Sequence, residues 1–223
     1  LGTTSGTSIS FGSEVVFYSA GAASYESFSF DPNTAGKFVV AYQIGGTGYG
    51  HVSVGTLSGN SISFGSSIQI EAGDSEFFSV SFDSDTAAPG KFVVTYRDTA
   101  NSSYGTAILG QIGTSLTNLT STNFVGITSA AITSGASGDI ALKGGIAASV
   151  ANTPLLQVYG PETIWTTNNG YYPAIAYDPN TADKFIIAYV DASDSNKGKV
   201  VVGTISGTSV SYGTPYEYYT TAT

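Results

Sequence analysis

The chain contains no cysteine and no methionine in its 223 residues, one histidine (His51) and one tryptophan (Trp165). Without cysteine there are no disulfides, thiolate zinc sites, iron–sulfur clusters or cysteine nucleophiles. One histidine excludes a His-rich metal site and leaves a serine triad a single base. Positive charge is scarce: Lys plus Arg number 7 against 16 Asp plus Glu, a net charge of -9. Nucleic acid and anionic membrane surfaces both demand a cationic footprint, so neither is an expected partner. No apolar run approaches the roughly 18 residues of a spanning helix, so membrane insertion is not expected either. No cofactor is implied. The missing sulfur suits an exposed protein that must resist oxidation. A start at Leu1 without methionine is expected of a processed product or of a piece of something longer.

What the sequence has is repetition. FDPNTAGKFVVAY (Phe30 to Tyr42), FDSDTAAPGKFVVTY (Phe82 to Tyr96) and YDPNTADKFIIAY (Tyr177 to Tyr189) align, and so do SGTSISFGS from Ser5, SGNSISFGS from Ser58 and SGTSVSYGT from Ser206. A worn copy, IGTSLTNLT, begins at Ile112. Ser5 to Ser58 is 53 residues and Lys37 to Lys91 is 54, whereas Lys91 to Lys184 is 93. The third unit therefore carries an insertion, placed at about 123–163. The expected organisation is repeat 1 at 1–58, repeat 2 at 59–113, repeat 3 at 114–206 with the inserted hairpin module, and overlapping closing strands at 207–223.

Each repeat reads as strands. Ser27-Phe28-Ser29-Phe30 alternates polar and apolar, as a half-buried strand does. Asp31 to Gly36 carries turn chemistry, with Asp first, Pro second and Gly where φ can be positive. Lys37 to Tyr42 is almost continuously apolar and β-branched, which fits a strand covered on both faces. His51 to Thr56 alternates again, and Ser58 to Ser61 turns the chain into Ser61 to Phe64. The insertion reads as a hairpin turning at Gly135 to Gly138. The expected fold is all-β: repeated four-stranded antiparallel units, propeller-blade-like, with a β-sandwich or stacked fibre-like sheets as the alternative.

SGTSISFGS, DPNTAGKFVVAY and the connecting GYG…VGT resemble the repeats of tail-fibre and other virion surface proteins of marine bacteriophages, cyanophages in particular. NFVGITSAAITSGASGDIALKGGI resembles a β-hairpin module found beside such repeats, although the chain then departs into VANTPLLQVYGPETIW. The resemblance covers most of the chain. It implies an exposed, often oligomeric virion component that meets the host surface or its glycans, and it supplies no catalytic residue.

Candidate sites follow from chemistry. Trp165, Tyr171 and Tyr172 lie outside the repeated motifs beside Asn168 and Asn169; flat rings next to amides suit stacking on a sugar and bonding to its hydroxyls. Asp83-Ser84-Asp85 and Asp191, Asp194 and Asn196 offer oxygen ligands to calcium, without EF-hand spacing, and are weaker candidates beside a reading as turn residues. Asp31, Asp83 and Asp178 read as turn caps that pair across the strands with Lys37, Lys91 and Lys184. His51 reads as a rim histidine. Phe28, Phe38, Phe82, Phe92 and Phe185 read as core. Tyr216-Glu217-Tyr218-Tyr219 reads as an edge strand that pairs with another subunit. The sequons at Asn101 and Asn118 are frequent by chance in Ser/Thr-rich chains. The leading expectation is a non-enzymatic structural or adhesion component of a phage virion, bound to other virion proteins and to itself, at the virion surface or outside the cell. A lectin-like carbohydrate-binding module and a subunit of an extracellular bacterial filament or surface layer are the alternatives. A polysaccharide-degrading enzyme using Glu71, Asp74 and Glu76 ranks lower.

Overall fold

The computed structural model describes residues 2–85, 89–113 and 155–219, with two further strands at 127–128 and 140–141. Every regular element among the described residues is a strand: β1 (Gly2–Ser5), β2 (Ser8–Phe11), β3 (Ala23–Phe30), β4 (Lys37–Ile44), β5 (Gly50–Ser58), β6 (Ser61–Phe64), β7 (Ile68–Glu71), β8 (Ser75–Phe82), β9 (Lys91–Asp98), β10 (Tyr104–Gly113), β11 (Ile127–Thr128), β12 (Ile140–Ala141), β13 (Leu155–Tyr177), β14 (Lys184–Asp191), β15 (Lys197–Ser206), β16 (Ser209–Tyr212) and β17 (Tyr216–Tyr219). No helix among the described residues is long and apolar enough to cross a membrane. The chain separates into two compact units, Leu1–Ile112 with Leu156–Thr223, and Gly113–Leu155. In the latter, β11 pairs antiparallel with β12. The turn expected at 135–138, most of the worn 112–120 copy and Asn118 lie outside the described residues.

In the larger unit, β3, β4, β5 and β6 form one antiparallel sheet, with β7 also on β5. A second sheet runs β16-β15-β14-β13-β10-β9-β8, with β17 also on β15. The long β13 serves two strand sets, lying beside β10 and pairing with β14 through 170–177. The repeats thus fold alike: β3-β4-β5, β8-β9-β10 and the end of β13 with β14-β15 share one antiparallel pattern. The turn chemistry repeats too. Asp31, Asp83 and Asp178 each accept, through Oδ1, the backbone N–H two residues on. Gly36 has φ +74°, and a Cβ there would stand 2.3 Å from the Leu57 carbonyl oxygen, so glycine is required at this turn.

The cross-strand ion pairs expected at these turns form only once. Lys91 lies 3.8 Å from Asp83 but 2.6 Å from Asp183 of the next repeat. Lys37 and Lys184 instead donate to the hydroxyls of Thr56 and Thr204, directly across the ladder.

The sets stack face to face. One face of each, here face B, carries Val39 and Ala41 or Val93; the other, face A, carries Phe38 and Val40, Phe92 and Val94, or Phe185 and Ile187. Val39, Ala41, Val52 and Val54 on face B of the first set form one core with Val80, Phe82, Phe92 and Val94 on face A of the second. Val93, Ala107 and Leu109 on face B of the second set form another with Phe185, Ile187 and Val201 on face A of the third. The KFVVAY-type strand of the second set is therefore covered on both faces by its neighbours, as its continuous apolar run suggested, whereas in the first set Phe17, Tyr18 and Phe64 rather than another set cover Phe38, Val40 and Tyr42 on face A. In β14 the positions alternate, because nothing among the described residues covers face B of the third set. On face A of the first set that cover stops short of β3, and Phe28, read as core, is 65% exposed. Opposite Phe38, Phe92 and Phe185 stands a glycine, Gly55, Gly110 or Gly203, where a Cβ would meet the ring at 2.1–2.3 Å. The ring lies over the bare backbone of its neighbour strand. A Cβ on that backbone would enter the space of the ring.

Candidate functional site: an aromatic strip and a carboxylate cluster

The first strand of every set breaks register at the same place: between Ser24 and Ser27 in β3, Glu76 and Ser79 in β8, and Tyr171 and Ala174 in β13. At each break one residue takes positive φ, and in all three it is aromatic: Tyr25 (+57°), Phe77 (+56°) and Tyr172 (+52°). The left-handed region strains any residue with a Cβ, and bulky side chains most; glycine would sit there freely. Stacking of the sets carries the three rings together. Tyr25 and Phe77 have ring centroids 5.0 Å apart, Phe77 and Tyr172 4.6 Å. Tyr171 joins at 5.7 Å from both Phe77 and Tyr172. The strip is open to solvent at both ends, Tyr25 being 39% and Tyr172 65% exposed.

Polar groups back the strip. The Arg97 guanidinium lies 4.1 Å from the Tyr171 ring centroid and donates to Glu76 (2.8 Å) and to Ser103 Oγ (2.9 Å). Glu76 in turn raises the Tyr25 phenol above its ordinary pKa, chiefly by its charge, with Asp74 adding to the effect. Asp74 accepts from the Gln43 amide at 2.9 Å. The arrangement offers ring faces flanked by carboxylates, an amide and a guanidinium, which suits a ligand with apolar C–H faces and many hydroxyls.

Trp165 is not part of it. The indole is 4% exposed, donates from Nε1 to the Thr106 carbonyl at 3.0 Å, and packs edge-on against Tyr189 at 4.6 Å. It covers Gly105 and Gly170, where a Cβ would clash with the ring at 2.3 and 2.8 Å. A platform for a sugar needs a free face, and this ring has none, so the reading of Trp165 as a stacking residue is corrected. Asn168 and Asn169 are likewise drawn inward: the Asn168 amide donates to Asp191 Oδ2 at 2.6 Å, and Asn169 Oδ1 is buried. Of the five residues proposed, Tyr171 and Tyr172 reach the strip. Tyr25 and Phe77 were missed, although the alignment of YESFSF with FFSVSF and YYPAIAY places an aromatic at each bulge.

The calcium candidates are already neutralised. Asp191 Oδ2 accepts from Lys199 at 2.8 Å and its Oδ1 from the Ser193 N–H at 3.0 Å. Asp194 pairs with Lys199 (2.7 Å) and Lys197 (3.2 Å), which hold its carboxyl below the usual range. Two ammonium groups occupy the place a cation would take, and Asn196 sits on the adjoining turn with φ +58°. In the other loop Asp83 is fully buried, its Oδ1 accepting from the Asp85 N–H. His51 is half-buried, with Nδ1 2.8 Å from Ser67 Oγ, and burial lowers its pKa. The 216–219 strand pairs within the chain, along β15, and Glu217 meets Lys197 at 3.3 Å.

The three carboxylates suggested for hydrolysis separate. Glu76 binds Arg97, Asp74 binds Gln43, and only Glu71 joins other acids. Glu71, Asp98 and Glu162 bring carboxylate oxygens within 4.8 Å of one another. Asp98 is 3% exposed and takes the Asn101 N–H at 2.9 Å; Glu162 accepts from the Tyr96 hydroxyl at 2.6 Å. Burial first, then the neighbouring Glu71, pushes Glu162 up to about 8, and burial also raises Asp98. Crowded carboxyls with no cation beside them hold a proton. Oxygen sets of this spacing also suit hard cations, but no second feature points to a metal. Cavities of about 640 and 290 Å³ lie elsewhere on the molecule.

No protein-family model matches the chain, and neither does any curated protein or solved structure.

Proposed function

We propose that this chain is a non-enzymatic adhesion protein whose aromatic strip, Tyr25, Phe77, Tyr171 and Tyr172, holds surface glycans. The observation that carries the reading is the recurrence of a strained, positive-φ aromatic at the same bulge of three successive strand sets. Backbone strain of order 1–3 kcal/mol per residue is kept where a ligand site needs it. Three such residues in ring contact form a continuous surface, suited to several sugars of a polymer in turn. The strand sets are read as propeller-like blades serving as a rigid support. The resemblance of the repeats to virion surface proteins supports a place on a phage particle, in contact with the host. A subunit of an extracellular filament or surface layer is the second reading, favoured by the open apolar faces of the first and third sets.

The test is a glycan array together with co-sedimentation on insoluble polysaccharides. Wild type is expected to bind at least one glycan class, and Tyr25→Ala and Tyr172→Ala to lose binding while remaining folded. Equal binding by both variants, or no binding to any glycan, would remove the reading. Release of soluble sugar by wild type would remove its non-enzymatic part.

A further inference from the structure

Two faces of the larger unit are left open, and they complement each other. On face A of the first set Phe28 and Phe30 are 65% and 48% exposed, whereas Val80 and Phe82, at the same places in the second set, are 6% and 5% exposed. On face B of the third set Ile186 and Val202 are 46% and 47% exposed, whereas Val39, Val54, Val93 and Leu109 at the same places are at most 2% exposed. Face B on face A is the contact the chain already makes twice, between its first and second and its second and third sets. Beside Phe28 and Phe30 the first-set face holds a groove of about 640 Å³ lined by Gly2, Phe17, Phe28, Phe30, Phe38 and Val40 among others. The β1–β2 hairpin beside it has the register of β5–β6 and β15–β16: Gly2, Gly55 and Gly203 each face an aromatic, Phe11, Phe64 or Tyr212. Phe17 packs on the first set much as Ile70 packs on the second. The groove thus lies where the inner strands of one more set would sit.

We propose that a second copy of this chain fills this groove with its third strand set, head to tail. The contact is heterologous, so each added copy presents the same two faces and the assembly can extend. Residues 2–18 of one copy and β16–β17 of the other carry the same hairpin for one outer position. One displaces the other on docking, which makes this a strand exchange. One difference weakens the contact relative to the internal ones. Ser27 Oγ accepts the Val80 N–H, and Ser79 and Ser81 accept those of Ile175 and Tyr177. In the third set Ala174 and Ala176 stand in the corresponding places and offer no acceptor.

Sedimentation velocity of the 223-residue chain across a concentration series tests this, with circular dichroism as the check on folding. Wild type is expected to form concentration-dependent oligomers. Phe28→Asp and Val202→Asp, both at exposed positions, are each expected to stay monomeric. Mixed in equal amounts they are expected to give a dimer, because Phe28→Asp keeps its third-set face and Val202→Asp keeps its groove. Ala174→Ser with Ala176→Ser is expected to tighten association about tenfold by restoring the two acceptors. Wild type that stays monomeric throughout, as it would were another polypeptide the occupant, overturns the proposal. So does a mixture of the two aspartate variants that forms no dimer.

Discussion

Phe92 and Gly110 form the contact on which the interior of the second strand set turns. Phe92 is 1% exposed and lies directly across the ladder from Gly110. A methyl group on Gly110 would stand 2.3 Å from the ring, about 1 Å inside the 3.4 Å at which ordinary contact begins. The ring cannot retreat, because Phe82 and the β-branched residues of the first set lie against it in the same core. Gly110→Ala is therefore expected to cost about 1–3 kcal/mol as overpacking. Phe92→Ala removes the ring and leaves a cavity, at about 3–5 kcal/mol. In the double variant the new methyl occupies part of the vacated space, so the costs do not add. The expected coupling is at least about 1 kcal/mol in favour of the double variant. Urea unfolding of the four proteins, compared at constant m, measures it. Additive costs, or a Gly110→Ala variant as stable as wild type, would refute the ring-over-glycine packing. They would refute it equally for Phe38 over Gly55 and Phe185 over Gly203.

Three further outcomes follow from the geometry. Glu162 binds a proton more tightly folded, at about 8, than an ordinary glutamate does unfolded. Its contribution is thus complete below about pH 4.3 and lost as pH rises towards 8. Wild type should lose about 1–2 kcal/mol across that window, after allowance for solvent at this half-buried group, and Glu162→Gln should flatten the profile; an unchanged profile would contradict the shared proton. Trp165, 4% exposed, should emit at short wavelength and resist acrylamide quenching, with no change when glycan is added; a red emission that glycan shifts would return it to the surface. Tyr172→Gly should abolish glycan binding yet keep stability within about 1 kcal/mol, because relief of backbone strain offsets the lost ring contacts; a large loss of stability would make the ring a structural one.

The strands and turns were legible because each is set by neighbours in sequence. Asp31 to Gly36 spells its turn, and Lys37 to Tyr42 is apolar on both sides of its pleat. The alternation of Ser27 to Phe30 announced a strand but not which face would be covered, and Phe28 proved to lie on an open one. Trp165 looked like a binding residue because it stands outside the repeated motifs, yet an indole between Gly105 and Gly170 is packing that only the fold reveals. The carboxylate cluster joins residues from three distant strands, Glu71, Asp98 and Glu162, and no spacing in the sequence foretells it. The strip lay between these extremes. Its aromatics align in the repeats, but their positive φ and ring contacts arise from bulges that composition does not mark.

The strip formed by Tyr25, Phe77 and Tyr172 is proposed as a glycan-contacting surface. The most direct measurement is a titration of the labelled protein with the soluble oligosaccharide of a glycan it binds, followed through its aromatic ring resonances. The Tyr25, Phe77, Tyr171 and Tyr172 signals are expected to move together while Trp165 stays fixed. Movement centred on Trp165, or saturable binding that leaves the strip unmoved, would contradict it.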